Sequence, residues 1–226
     1  MEIYGEKVFG IFLQRPNRFE ALVEIDGEVV NAHVPNTGRM SELLHFGCRV
    51  VLIKSDNPNR KTKYSLIFVY KNDKLICINS ILANKVFAEG IKDGSIDWLE
   101  GRIVPEVVYG KSRLDFFIDG CKKTYVEVKC CTYEENCHAM FPDAPTERGR
   151  KHVDELIKAK QEGYEAAIVI LTFMNYVTKF SPNYNIDREF GEKLLYAYKQ
   201  GVVVKIYRCA VELNMVKIET EIPLKF

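Results

Sequence analysis

Between Ser112 and Thr132 the chain reads SRLDFFIDGCKKTYVEVKCCT, two alternating runs separated by Asp119-Gly120. Strand side chains alternate faces with a period of two, and Asp-Gly is a favoured hairpin turn. The stretch is therefore predicted to be a β-hairpin. Its pattern assigns Leu114, Phe116, Ile118, Val126 and Val128 to one apolar face, and Asp115, Glu127 and Lys129 to the other. With a loop over Asp119–Lys123, Asp115 lies directly opposite Glu127, and Cβ atoms of such a pair are about 5 Å apart. Two ionised carboxylates that close repel each other and call for a cation. A hard divalent ion, Mg²⁺ or Mn²⁺, suits oxygen ligands. Lys129, on the same face, would then orient a water or bind a phosphate oxygen. A solvated ion cluster on a half-exposed strand has the same alternation, so this spacing alone does not establish a site.

The surroundings of the hairpin narrow the choice. Asn79–Asp93 has helical periodicity and Gly94 follows it. On that helix Leu82, Val86 and Glu89 share one line. Glu89 thus borders an apolar stripe, where an acid is costly unless partnered; it is a candidate third acid, and a solvated helix-end glutamate is the alternative. Ile103–Tyr109 reads as a strand carrying a rival, Glu106. After the hairpin, Pro145-Thr146-Glu147 looks like the start of a helix running to about Gln161. Its first turns hold Arg148, Arg150, Lys151 and His152, unfavourable for the helix dipole unless an anion binds there; ordinary exposed charge and a packing histidine are the alternatives. Glu165–Phe173 is nearly all apolar, as a strand buried on both faces should be. Asp187–Gln200 is a helix stopped by Gly201, and Val202–Tyr207 is another buried strand. Ala210–Phe226 adds edge structure. The order αβββαβ places the acid-bearing hairpin centrally in a mixed sheet, where metal-dependent nucleases of the restriction-endonuclease type keep their acids.

Residues 1–72 read differently. Lys7–Phe12, Arg18–Ile25, Glu28–Val34, Arg49–Lys54 and Ser65–Tyr70 are short strands, with Asp26-Gly27 closing one hairpin and a helical turn at Ser41–His45. Five strands with a small insert suggest an OB-like barrel. Such barrels often bind single strands through basic and aromatic side chains. Arg15, Arg18, Arg39, Lys54, Arg60, Lys61 and Lys63 are the basic candidates here, although lysine and arginine decorate any small barrel. His33–Met40 (HVPNTGRM) is either a phosphate-binding loop or a plain connection. The expected division is 1–72, a nucleic-acid-binding barrel, and 73–226, a nuclease-like domain.

Composition sets limits. Lys plus Arg number 32 against 31 acids, a formal net charge of +1, so any nucleic-acid surface must be local. No run approaches the ~20 apolar residues of a membrane span, and no signal-peptide pattern opens the chain; a soluble cytoplasmic protein is expected. Seven cysteines show no framework spacing. Cys130, Cys131, Cys137 and His138 contain no CxxC pair, so buried or incidental thiols are expected rather than zinc.

Several stretches together resemble one family. They are Pro35–Met40 (PNTGRM), Asn57–Lys61 (NPNRK), Ser112–Phe116 (SRLDF), Tyr125–Lys129 (YVEVK), Phe141–Ala144 (FPDA) and Thr146–Leu156 (TERGRKHVDEL). Over nearly its full length the chain is similar to the sugar fermentation stimulation protein A family. The resemblance implies an α+β / α/β architecture: an N-terminal OB-like barrel, then a restriction-endonuclease-like (PD-(D/E)XK) mixed-sheet domain flanked by helices. It also implies DNA binding and a regulatory role in sugar (maltose) metabolism. Asp115 matches the family's PD acid, with Leu114 in place of the proline, and Glu127 and Lys129 match E-x-K. Cys130-Cys131 and Pro145 depart from the expected pattern without removing a charge. Two functions are expected. One is a Mg²⁺- or Mn²⁺-dependent nuclease, with Asp115 and Glu127 as metal ligands, Lys129 catalytic, and Glu89 or Glu106 completing the shell. The other is a non-catalytic, largely sequence-nonspecific DNA-binding regulator. In either, Arg39, Arg60, Arg113, Arg148, Lys151 and His152 are the expected DNA contacts.

Overall fold

The computed structural model describes residues 1–226. Its first sheet contains β1 (Lys7–Asn17), β2 (Glu20–Ile25), β3 (Glu28–His33), β4 (Arg49–Lys54), β5 (Tyr64–Lys71) and β6 (Lys74–Cys77). These strands lie in the order β3-β2-β1-β4-β5-β6, and a parallel pairing of β3 with β5 (Ala32↔Tyr64, His33↔Ser65) closes the first five into a barrel. Alternation sets what fills it: Phe12, Ala21, Val23, Val50, Leu52, Leu66 and Val69 are all buried. β1 runs on through Pro16, which can donate no ladder hydrogen bond. The β1–β2 register shifts on both sides of Gln14, and that irregular stretch accommodates the proline. β6 is joined to β5 through Asn72-Asp73, both with positive φ, as the tightest hairpin turns require. The expected division at 72/73 falls inside this turn, and the first sheet extends to Cys77.

Next come α1 (Leu82–Lys92), β7 (Arg102–Tyr109), β8 (Ser112–Asp119), β9 (Thr124–Cys131), β10 (Glu134–Glu135) and β11 (His138–Phe141). They are followed by α2 (Glu147–Gln161), β12 (Glu165–Thr172), β13 (Lys179–Pro182), α3 (Arg188–Lys199), β14 (Val203–Glu212) and β15 (Met215–Glu221). The second sheet has the order β15-β14-β12-β9-β8-β7. β9, β12 and β14 are parallel, with α2 and α3 as the crossovers, and both edges are antiparallel. β12 is buried from Ala166 to Thr172, as its unbroken apolar run requires. α1 covers one face with Val86 and Phe87 against Phe116, Val126, Val128 and Val169. α2 and α3 cover the other with Val153, Leu156 and Leu194 against Ile168, Ile170 and Val204. β10, β11 and β13 form a small third sheet.

Local chemistry starts the helices. Thr146 caps α2, its Oγ1 accepting the Gly149 N–H at 3.1 Å. Asp187 caps α3 by accepting from Phe190 N at 2.9 Å, and it also takes the Thr146 N–H at 2.7 Å and the Arg150 guanidinium at 2.8 Å. One carboxylate thus ties the starts of both helices together. Burial opposes its charge, but these donors outweigh burial and hold its pKa below the usual range.

The two sheets share a core. Ile3, Val51, Ile67, Phe68 and Cys77 of the barrel region pack in one cluster with α1 and the second sheet. Backbone hydrogen bonds cross as well, from Cys77 N to Phe173 O at 3.2 Å and from Ile3 N to Asn214 O at 2.7 Å. No helix is long and apolar enough to cross a membrane.

Phe87 is fully buried and packs on Phe116 with ring centroids 5.0 Å apart. Phe87→Ala is expected to cost about 3–5 kcal/mol, read as a lower urea midpoint. A loss below about 1 kcal/mol would mean that α1 contributes little to the shared core.

Candidate active site

The β8–β9 ladder pairs Ile118 with Thr124, Phe117 with Tyr125 and Phe116 with Val126. The loop is therefore Asp119–Lys123, and in this register Asp115 lies opposite Glu127, as the spacing predicted. At that level the ladder opens. Asp115 Oδ2 accepts the Val128 N–H at 2.8 Å, and Oδ1 accepts Asn84 Nδ2 of α1 at 2.9 Å. Glu127 turns toward α2. Its Oε1 accepts from Lys129 Nζ and from His152 Nδ1, while Oε2, equally buried, has no partner.

The expected faces need a correction. Phe116, Ile118, Val126 and Val128 do pack together beneath α1, but Leu114 packs in the cluster beneath α2. The cause lies on the neighbouring strand. β7 pairs Pro105 with Phe116 and Val107 with Leu114, which leaves Glu106 facing Asp115, and Glu106 has φ +55°. A left-handed residue inside a strand turns the side chains beyond it over. Ile103 accordingly packs beneath α1, but Val107 and Tyr109 beneath α2. Backbone strain of this kind concentrates at functional sites.

The two acids have opposite electrostatics. Burial, reinforced by the Glu127 charge, raises the Asp115 pKa. Glu127 is only 2 % exposed, and burial alone would raise it too. Lys129 and His152 outweigh burial and hold it below the usual carboxylate range. Glu127 is thus a buried, ionised carboxylate with one free oxygen, beside an Asp115 that resists ionisation. A divalent cation would satisfy both: it would occupy the orphaned Oε2 and favour the charged form of Asp115. No group of three or more His, Cys, Asp or Glu side chains is arranged to enclose a metal. The pair therefore suits an ion that takes one or two carboxylates and fills its shell with water and phosphate oxygens, as Mg²⁺ does. The cysteines do not compete for it. All seven are free thiols, and burial pushes Cys77 up to about 12 and raises Cys130, Cys131 and Cys209 as well.

A cleft of about 470 Å³ opens above the acids. It is lined by Asp115, Glu127 and Lys129, by the Phe141–Thr146 segment with Arg148, and by the barrel loop Asn36–Gly38, which lies against that segment. Arg15, one of the barrel's basic candidates, holds that loop. Its guanidinium donates to the carbonyls of Gly38 (2.6 Å), Arg39 (2.8 Å), Asn36 (2.7 Å) and Arg18 (2.6 Å). The Gly38 N–H is used by Asn36 Oδ1 at 2.8 Å and the Met40 N–H by Asp143 Oδ2 at 3.3 Å, so neither is free for a phosphate. A Cβ at Gly38 would collide with the Asp143 carboxylate, so any other residue there would have to push that side chain aside, away from the Met40 N–H.

The other expected contacts separate. Arg148 lines the cleft, and its Nε faces His152 Nε2 at 3.4 Å. His152 is buried and bonded to Glu127, so it is a support for the acid and not a phosphate contact. The basic start of α2 needs no anion: Lys151 pairs with Glu147 at 2.8 Å, and Arg150 with Asp187 and with Glu189 at 3.2 Å. Arg113 pairs with Glu106 at 3.5 Å. Arg39 is exposed beside the cleft loop, and Arg60 donates to Ser65 Oγ at 2.9 Å. Lys54 pairs with Glu6 at 2.9 Å. Glu89 is not at the site; it pairs with the Met1 ammonium, and Asn84 is the α1 residue that reaches Asp115. Asn84 and Asp143 went unmarked in the sequence, because neither breaks an apolar periodicity.

Comparison with known proteins agrees with this architecture. Residues 13–78 match the family described as the SfsA N-terminal OB domain, and residues 81–215 the sugar fermentation stimulation protein RE domain. The sugar fermentation stimulation protein homolog of Clostridium perfringens is 49% identical over 205 residues, 89% of each chain. That of Caldanaerobacter subterraneus is 45% identical over 225 residues, 98% of each chain. The solved structure of Pyrococcus furiosus SfsA in complex with Ca²⁺ superposes with a TM-score of 0.92 at 32% identity, covering 100% of this chain and 98% of that one.

The two acids are expected to respond to pH with opposite signs. Asp115 has a raised native pKa, so the native state binds its proton more tightly than the unfolded state does. Its contribution therefore falls as pH rises from about 3.9 to the raised native value, and Asp115→Asn should gain stability relative to wild type across that window. Glu127 has a lowered native pKa. Its contribution is present above about 4.3 and is lost as pH falls through the lowered native value, so Glu127→Gln should be destabilised most at neutral pH. Urea unfolding of both variants over a pH series checks the signs.

Proposed function

The chain belongs to the sugar fermentation stimulation protein family, and from that premise we propose that it is a divalent-metal-dependent nuclease acting on DNA. The observation that carries this reading is the unpartnered Oε2 of Glu127, a buried oxygen of an ionised carboxylate on a residue that lines the same cleft as Asp115. An ion with oxygen ligands fits it, and the relative from Pyrococcus furiosus was solved with Ca²⁺, an ion of that class.

Asp115 and Glu127 would hold Mg²⁺ or Mn²⁺. Such an ion, when bound, polarises a phosphoryl oxygen and lowers the pKa of its water. Lys129 Nζ, bonded to Glu127 in the free protein, turns within the cleft to meet charge developing on the phosphoryl oxygens. Arg148 holds a flanking phosphate, a contact that positions without reading sequence. Asn84 fixes the orientation of Asp115. His152 does the same for Glu127: with Nδ1 donating to Oε1 and Nε2 turned to Arg148, it leaves Oε2 without a protein partner. Arg39, at the lip, contacts the strand beyond. Net charge gives no general attraction for DNA, so affinity rests on these local cations and is salt-dependent.

Calorimetry with Mn²⁺, run beside cleavage and binding of labelled DNA, tests the assignment. Asp115→Asn is expected to lose metal uptake and cleavage while keeping DNA affinity within about threefold. DNA binding by wild type with neither metal uptake nor cleavage would make the acids a relic, and the chain a non-catalytic DNA-binding regulator. His152→Leu is expected to weaken Mn²⁺ binding about 10–100-fold, whereas His152→Asn, which keeps a donor near Nδ1, should recover most of it. Equal affinities in these two variants would leave His152 with a packing role only.

A further inference from the structure

The catalytic cleft is not the only depression that reaches Asp115. A second groove of about 880 Å³ lies on the other side of this residue, and Asn84 and Asp115 line both. Its floor is apolar, made by Ile91, Leu99, Ile103 and Phe116. On its α1 side stand Lys85 and Lys92, both exposed and neither within ion-pair distance of a carboxylate in the folded chain. Seven residues apart, they are two helical turns from one another, about 10.5 Å along the helix. Glu106, at the edge nearest Asp115, is paired with Arg113; Glu100 stands on the wall opposite α1.

Resting on the nuclease reading, we propose that this groove takes an unpaired nucleotide of the DNA strand whose phosphate lies over Asp115 and Glu127, so that the substrate is single-stranded at the cleaved bond. Continuity fixes the ligand: a strand held at Asp115 passes into the groove within one nucleotide. The floor fits the face of a base, which a duplex keeps stacked and out of reach, whereas the outside of a duplex presents phosphates and sugar that gain nothing from an aliphatic floor. The two free ammonium groups beside the floor suit the backbone phosphates on either side of that base.

Fluorescence anisotropy on full-length Glu127→Gln protein, silent in cleavage and unchanged in the groove, tests this with a short labelled single strand and the blunt duplex of the same sequence. Adding Lys85→Glu and Lys92→Glu, exposed changes that leave the core intact, should weaken single-strand binding at least tenfold and move duplex binding less than about twofold. Equal losses on both DNAs would mean that the lysines serve a duplex backbone, and unchanged binding of both that the groove is unused; either overturns the inference and leaves the metal-site assignment standing. Absence of any DNA binding by a Glu127→Gln parent shown by circular dichroism to be folded would overturn the nuclease reading together with this one.

Discussion

A buried carboxylate that keeps its charge is the interaction on which the site depends. Glu127 lies in the middle of the sheet, where desolvation should neutralise it. Two donors on one of its oxygens prevent that, and they come from different places: Lys129 from two residues along the same strand, His152 from the helix that crosses to the next. The parallel arrangement of β9 and β12, with α2 between them, is what brings the histidine there. Asp115 is built the other way: its neutral donors orient it and pull its pKa down, but burial and the neighbouring Glu127 charge outweigh them and raise it. The pair therefore sets a carboxylate whose charge is favoured beside one whose charge is disfavoured.

The barrel contributes less through its surface than through one loop. Arg15 gathers carbonyls from Asn36, Gly38, Arg39 and Arg18, and Asp143 reaches across from the loop between β11 and α2 to the Met40 N–H. A guanidinium spent on carbonyls has little left for phosphate, since its donors form a rigid planar fork. The barrel thus supplies a wall to the cleft, and its basic residues divide into those that hold this wall and those, such as Arg39, that stand free at its lip.

How much of this was legible follows from range. The hairpin register came from strand alternation and an Asp-Gly turn, both local, and it placed Asp115 opposite Glu127. The start of α2 came from Pro145 and Thr146, again local. β6 carried a signal in Asn72-Asp73 but has only four residues in which to show a pattern. The turnover at Glu106 has no signature, because a glutamate with positive φ looks like any other glutamate in a strand. Glu89, the candidate third acid, is half exposed near the end of α1 and pairs with the Met1 ammonium, and no helical periodicity identifies a chain terminus. Arg15, Asn84 and Asp143 act through contacts more than twenty residues away in sequence, which neither period nor propensity encodes.

The core shared by the two sheets has a consequence for traffic through the cleft. Enzymes whose halves meet across a small polar seam open by hinge rotation and close on what they bind. Here Phe68, Phe87 and Phe116 belong to one apolar cluster that spans both halves, and backbone hydrogen bonds cross the join. Separating the halves would mean melting that cluster, so the jaws are of fixed gauge. On the nuclease reading, a strand would have to be threaded along them and drawn out the same way, and turnover would be governed by sliding, not by gating.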